Sequence, residues 1–419
     1  MENAPAPGAA RLFRASCFAL IVTAMSFALR GGAMGAWTSE FGLTNEQVGW
    51  ISSTAFWGFT LAMIFGGPLC DALGMGRITA LAFLGHAAGI ILTICAWDYW
   101  SLFGGTLLFG IANGLVEAAC NPLIATLYPD NKTTKLNHFH VWFPGGIVIG
   151  GLAAFALGKA EMSWRVQFAT MLLPLAVYGM MFLGRKFPRT ERVSMGVSTA
   201  GMFSACLNPV FLLMVVCMLM TAATELGPGQ WIPNILENAG VNGILVLVWI
   251  TGLMAVGRQF AGPFVHRLQP LGMLLASAVV SAAGLFLMSQ SGGGMLFAAA
   301  TVFAVGVCFF WPTMLGFVSE RYPKTGALGL AIMGGAGMLS VSFVLPAIGR
   351  MYDAGITARV PIADKLAALK SAAAGTPLNA EWMQIQAGAG LQALGQVAWL
   401  PVILTVIFAA LLVACRRPN

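Results

Sequence analysis

Phe65-Gly66-Gly67-Pro68-Leu69-Cys70-Asp71-Ala72-Leu73-Gly74-Met75-Gly76-Arg77 closes one apolar run, and 195 positions after Phe65 the string Phe260-Ala261-Gly262-Pro263 closes another. Met25-Ser26-Phe27-Ala28-Leu29-Arg30 and Met220-Thr221-Ala222-Ala223-Thr224-Glu225 stand at the same offset. Phe109 and Tyr128-Pro129 stand against Phe303 and Tyr322-Pro323 at an offset of 194. Separate matches at one spacing mark an internal duplication. A duplication that preserves the sense of its apolar runs describes two parallel six-helix bundles about an axis normal to a membrane. Such bundles hold a solute near the midplane and rock around it.

Composition agrees. Of 419 residues 58% are hydrophobic and 9% charged, and the mean hydropathy is +0.82; a soluble globule carries about 25% charged residues. A span needs about 20 apolar residues, so the chain holds roughly a dozen. The apolar runs predict spans at 15–37, 46–68, 77–97, 101–127, 138–158 and 165–184, then 208–232, 243–265, 271–289, 294–318, 326–350 and 396–415. The fold class is therefore all-α and polytopic, with an N-terminal bundle at 1–184, a linker at 185–207 and a C-terminal bundle at 208–419. Segment 351–395 reads as a long external insertion, with helical stretches at 361–374 and 380–395; it is expected to be solvated and without a transport role, a functional lid being the alternative. The first apolar run has no cleavable leader pattern and is expected to remain as a span.

Lys and Arg set the orientation. With both termini cytoplasmic, fifteen of the twenty-two lie inside, from Arg11 and Arg14 through Arg77, Lys132, Arg185, Lys186, Arg258, Arg321 and Lys324 to Arg416 and Arg417. A bacterial inner membrane is the expected location. The formal charge of +7 does not imply nucleic acid, because the basic residues sit in short clusters between spans. The eight cysteines form no CxxC pair, which predicts packing roles without metal or disulfides. No nucleotide loop, H-E-x-x-H or G-x-S-x-G occurs. No cofactor and no catalytic residue are expected.

The motifs resemble those of the major facilitator superfamily across essentially the whole chain. Gly67-x-x-x-Asp71-x-x-Gly74-x-x-Arg77 looks like that superfamily's cytoplasmic gate, and Gly257-Arg258 through Gly262-Pro263 and Arg267 looks like its counterpart. An Asp beside a helix end with a nearby Arg can lock one conformation through charge-assisted contacts. Asp71, Arg77 and Arg258 are therefore gate candidates. Within the superfamily the chain is most similar to the fucose permease branch of sugar–proton symporters. Gly114-Leu115-Val116-Glu117-Ala118-Ala119-Cys120-Asn121-Pro122, Leu136-Asn137, Trp311-Pro312-Thr313 and Gly334-Gly335 with Pro346 carry that likeness. It implies a span-4 Glu, here Glu117, in proton coupling or sugar binding. The chain departs from the branch at Arg30-Gly31, where span 1 would hold a carboxylate, and at Pro144, where span 5 would hold a second Asn.

An ionisable residue inside a span is a functional candidate, because lipid exposure costs about 2.5–3.5 kcal/mol. Arg30, Glu117 and Glu225 qualify. Arg30 and Glu225 occupy equivalent places in spans 1 and 7, and the resemblance implies that these spans line the cavity. The two are expected to face each other there, as an external gate or as a pair that solute separates. Glu117 lies deeper, in apolar surroundings that disfavour its charge, as proton coupling requires. His138 and His140 start span 5 and can join a relay with it. Asn113, Asn121, Asn137, Gln230 and Asn234 offer neutral hydrogen bonds, while Trp37, Trp142, Trp231 and Trp311 offer flat faces. The same tryptophans also suit interface anchoring. Gly227-Pro228-Gly229 is expected to break span 7.

These features predict a secondary transporter, functional as a monomer, that moves a small polar solute, a sugar by the resemblance, by proton-coupled alternating access. An exporter or organic-anion carrier is the alternative, which Arg30 suits. A membrane-embedded enzyme is disfavoured, since the charges lie in repeat-related helices and away from interface loops.

Overall fold

The structure is a computed structural model that describes residues 8–43, 45–196, 198–241, 243–373 and 375–416, so Arg417 lies outside the described residues. Every regular element among them is helical. The first half winds into α1 (Ala9–Phe41), α2 (Asn45–Leu73), α3 (Met75–Ile94), α4 (Tyr99–Leu127), α5 (Lys132–His140), α6 (Trp142–Lys159), α7 (Trp164–Ala169) and α8 (Leu172–Phe182). Two short helices, α9 (Glu191–Ser194) and α10 (Thr199–Cys206), occupy the linker. The second half continues with α11 (Pro209–Asn238), α12 (Gly243–Gln259), α13 (Ala261–Gln290), α14 (Met295–Val307), α15 (Phe310–Arg321) and α16 (Gly326–Arg359). It ends with α17 (Ala363–Lys370), α18 (Pro377–Val397) and α19 (Trp399–Arg416).

Eleven stretches are long and apolar enough to cross a membrane, and the shorter apolar Leu245–Gln259 supplies the twelfth span. Several spans consist of two helices in series, as in Pro129–Lys159 and Met295–Arg321. Asp98 starts α4 sharply: its carboxylate accepts from Ser101 N at 2.8 Å, and Ser101 Oγ accepts from Asp98 N at 3.0 Å. That reciprocal pair satisfies donors which helix geometry leaves open. Helical geometry lapses at Gln269 (φ 60°, ψ 162°), next to Pro270, which disfavours the helical region for the residue before it.

One expectation needs correction. Gly227-Pro228-Gly229 does not interrupt α11, which stays helical from Pro209 to Asn238. Membrane helices tolerate proline where neighbours satisfy the released carbonyl, and Gly227 packs so closely that an added Cβ would meet Val344 and Ile348 of α16 at 3.0 and 3.2 Å. Segment 351–395 carries the two helical stretches expected within it. It contains the end of α16, α17 and most of α18. Thr376 Oγ1 accepts from Asn379 N to cap α18, and Lys365 Nζ meets Glu381 Oε1 at 2.7 Å to tie α17 to α18.

Contacts group the chain into two compact units. The first holds Met1–Leu219, Ala255–Pro270 and Trp311–Leu339; the second holds Met220–Met254, Leu271–Phe310 and Ser340–Asn419. In the first, α4 is the hub. A Cβ on Gly114 would reach Phe59 O, and one on Gly110 would reach Ala55 of α2. Small residues thus let α2 and α4 touch backbone to backbone, which is how helices gain packing energy without a hydrophobic driving force. In the second unit Gly284 lets α13 approach Phe303 of α14 in the same way.

Candidate functional site

Glu117 and Asn121 lie one turn apart on α4 and share a face. Both are buried. Asn121 Nδ2 donates to Glu117 Oε2 at 2.7 Å. Asn121 Oδ1, which can only accept, lies 3.1 Å from His140 Nε2. That bond assigns the hydrogen of His140 to Nε2, which also lies 3.8 Å from Glu117 Oε2. Arg258, buried, donates from Nη1 to the His140 carbonyl at 3.0 Å and places positive charge near the Glu117 carboxyl. Trp311 brings its indole to the same carboxyl, yet its N–H meets no acceptor at hydrogen-bond geometry among the described residues. Asn137 donates to Thr133 O at 2.9 Å and Thr313 Oγ1 at 3.4 Å, while its buried Oδ1 is unmatched among them. Asn137 Oδ1 is thus an unmatched acceptor among the described residues, in a setting where buried polar atoms are nearly always matched.

Arg30 is a further buried charge in this unit. It is 7% exposed. Its guanidinium carbon stands 5.0 Å from the Phe27 ring centre and 5.8 Å from that of Phe56. Phe27 also touches Phe143, with centroids 5.6 Å apart, and Phe143 follows His140 by one turn. No carboxylate pairs with Arg30 among the described residues of its unit. Ring faces attract a cation by about 0.5–2 kcal/mol, well short of the several kcal/mol lost on desolvating it. The guanidinium therefore keeps most of its capacity for an anion.

A sequence profile of the Major Facilitator Superfamily matches residues 16–358. The chain belongs to the major facilitator superfamily. Superfamily members are transporters, and none of the features above calls for an enzyme. The chain is 24% identical to a gentisate transporter of Corynebacterium glutamicum, over 53% of each protein. It is 25% identical to a 3-(3-hydroxy-phenyl)propionate transporter of Escherichia coli K12, over 69% of this chain and 74% of that one. A D-xylose transporter of Levilactobacillus brevis and a D-xylose-proton symporter-like protein of Arabidopsis thaliana are also among its relatives. The chain spans about half or less of the length of the first curated relatives it matches. In fold it matches the Escherichia coli fucose–proton symporter FucP, with a TM-score of 0.71 over 94% of this chain and 98% of that one, at 16% identity.

The remaining candidates of this superfamily member make other contacts. Asn113, one turn before Glu117 on α4, is bonded to His86 Nε2 (2.9 Å) and Ser26 Oγ (3.2 Å). His138 is half-buried and Trp142 is 37% exposed. Trp37 is buried against Trp164 and Phe168. In the second unit Glu225 is buried in α11 and Gln230 is exposed. Trp231 donates its N–H to Leu345 O at 3.2 Å. The side chain of Asn234 lies outside the described residues. Asp71 accepts from Thr190 Oγ1, while Arg77 is exposed.

Sequence reasoning passed over several residues of the first unit. Lys132 Nζ binds both oxygens of Glu191 at 2.8 Å and Ser319 O at 3.2 Å. Glu320 Oε1 accepts from Thr133 Oγ1 at 2.6 Å and Thr133 N at 3.2 Å. The carboxylate thereby sits at the start of α5, where the helix dipole favours negative charge. These groups join α5 to α9 and to the end of α15. Their only signal in the sequence was that charges cluster beside the duplicated Tyr-Pro pairs.

Proposed function

We propose that this multi-pass membrane protein moves an organic carboxylate, best an aromatic hydroxy acid, by proton-coupled alternating access. Arg30 carries the reading. A buried guanidinium without a carboxylate in its unit suits a ligand that brings one, since a guanidinium fork binds carboxylate oxygens in pairs. Phe27, Phe56 and Phe143 give an apolar wall for the acid's ring. The names of the gentisate and hydroxyphenylpropionate carriers point to the same chemistry.

Glu117 is the proposed proton carrier, with Asn121 and His140 orienting it and Arg258 setting the local field. Asp71, Arg77 and Arg258 remain the proposed gate, and Glu225 the proposed partner of Arg30 when solute is absent. A bacterial inner membrane with both termini inside is the proposed setting. A sugar remains the second reading, supported by the FucP-like fold and the D-xylose relatives.

Proteoliposomes with an imposed pH gradient test both. Labelled gentisate and 3-(3-hydroxyphenyl)propionate should accumulate, and L-fucose and D-xylose should not. A lost charge-assisted contact is worth about 1.5–3 kcal/mol, so Arg30→Gln should weaken acid uptake about ten- to hundred-fold. Sugar accumulation without acid uptake, or wild-type acid uptake by Arg30→Gln, overturns the proposal.

A further inference from the structure

Away from that site, α10 and the turn after α15 flank an open cavity of about 750 Å³ within the first unit. Arg321 and Lys324 form one wall; Ser198, Ser204 and Asn208 form another. No carboxylate lines it, and neither cation forms an ion pair among the described residues. Both basic side chains are exposed. Ser198 caps α10 through Gly201 N, and Asn208 caps α11 through Val210 N, so the polar rim is held rigidly while its cations stay open.

The flank of the cavity is apolar. α10 buries Met202 and Cys206 but leaves Phe203 52% and Leu207 71% exposed. Leu212 and Val216 extend that exposed stripe along α11. Large apolar side chains left uncovered by protein suit contact with lipid, and such contact would set Arg321 and Lys324 beside lipid headgroups.

We infer that this cavity binds the phosphodiester headgroup of an anionic phospholipid, with Arg321 and Lys324 on the phosphate and Phe203 and Leu207 against the acyl chains. Phosphate chemistry alone would also admit a soluble phosphate ester. The apolar stripe favours lipid, because a soluble ester has nothing to cover Phe203 and Leu207. A lipid seated there would bridge the linker helix to the end of α15.

Fluorescent phosphatidylglycerol, titrated into the detergent-solubilised full chain beside phosphatidylcholine, tests this. Phosphatidylglycerol should bind more tightly, and the preference should shrink as salt rises. Each basic residue near an anionic surface contributes about 1 kcal/mol, so the double variant Arg321→Gln, Lys324→Gln should bind phosphatidylglycerol about 30-fold more weakly. Leu207→Ser should weaken both lipids. Equal phosphatidylglycerol binding by wild type and the double variant overturns the inference. So does displacement of the lipid by millimolar glycerol 3-phosphate, which would mark a soluble phosphate site.

Discussion

Arg30 and Glu117 are both charges buried in helices, yet their surroundings differ in kind. Arg30 meets ring faces, whereas Glu117 meets the amide of Asn121 and shares His140 with it. A Gln at position 117 keeps an oxygen for Asn121 Nδ2 and removes the titrating proton. Under the proposed coupling, Glu117→Gln should retain solute counterflow between two sides of equal pH and lose accumulation driven by a pH gradient. Full gradient-driven accumulation by that variant would remove Glu117 from the coupling step. Glu40 makes a separate case, outside the spans. The Trp164 N–H donates to it at 2.7 Å and Arg165 pairs with it, and the two hold its carboxyl below the ordinary value of 4.5. A depressed carboxyl contributes stability that is present above its unfolded value and lost as pH falls through its folded value. Thermal stability should therefore fall below about pH 4.5, and Glu40→Gln should flatten that dependence while lowering stability at pH 7. Arg30 and Glu117 were legible in the sequence because a charge within an apolar run has no cheap place to go. Glu320 was not, because a carboxylate beside Arg321 at a span end reads as ordinary interface charge until the fold brings Thr133 to it.

Four helices of the first unit are tied by one directional chain of hydrogen bonds. Tyr178 O–H of α8 donates to His86 Nδ1 of α3 at 3.0 Å, and His86 Nε2–H donates to Asn113 Oδ1 of α4 at 2.9 Å. Asn113 Nδ2 donates to Ser26 Oγ of α1 at 3.2 Å, and Ser26 Oγ donates to Thr23 O at 2.6 Å. The order is forced from one end, since Asn113 Oδ1 can only accept. His86 also stacks on Phe109, with centroids 4.9 Å apart. Ser26 lies one turn before Arg30, so the chain fixes the register of the helix that presents the guanidinium. Replacing His86 with Leu fills the space but leaves a buried phenol and a buried amide oxygen unmatched, each costing about 1–3 kcal/mol. His86→Leu should therefore lower the thermal midpoint by several degrees, with His86→Gln recovering part of the loss; an unchanged midpoint would show that the chain bears no stability. The spans themselves were readable from apolar length, because lipid demands about 20 residues of it. Cross-helix partners were not, since apolar runs carry little facial periodicity when a helix is covered on all sides. His86 and Asn113 look like isolated polar residues in separate runs, and only packing aligns them.

The duplication was visible because both copies keep the same Gly-Pro and Tyr-Pro punctuation, and it divides the sequence into two sets of six spans. Contact density groups the residues differently. Ala255–Pro270 and Trp311–Leu339 from the second set fall in one compact unit with the whole first set. Close approach explains it. A Cβ on Gly67 of α2 would strike Ala331 of α16 or come within 2.8 Å of Ala327 O, and one on Gly335 would lie 3.4 Å from Ile64. Polar contacts then close that end: Lys132 to Glu191 and Ser319, Thr133 to Glu320, and Arg258 to the His140 carbonyl. Sequence could not show this, because pairings between residues far apart along the chain, 187 positions in the case of Thr133 and Glu320, leave no local pattern. Alternating access requires such a seal to open, and a seal sets the population of the closed form by its free energy. Glu320 accepts two bonds at the start of α5, and hydrogen bonds to charged groups are worth about 1.5–3 kcal/mol. Glu320→Ala should therefore raise the population in which this end is open by about ten-fold or more. Amide hydrogen exchange in the purified protein reads that directly, as faster exchange across Lys132–His140 and Phe310–Arg321 with the ends of α3 and α8 unaffected. Glu320→Gln, which keeps an acceptor but loses the charge, should fall between. If Glu320→Ala exchanged at the wild-type rate on α5, the apolar contacts around Gly67 and Gly335 would hold the end shut alone, and opening would have to be driven through α2 and α16.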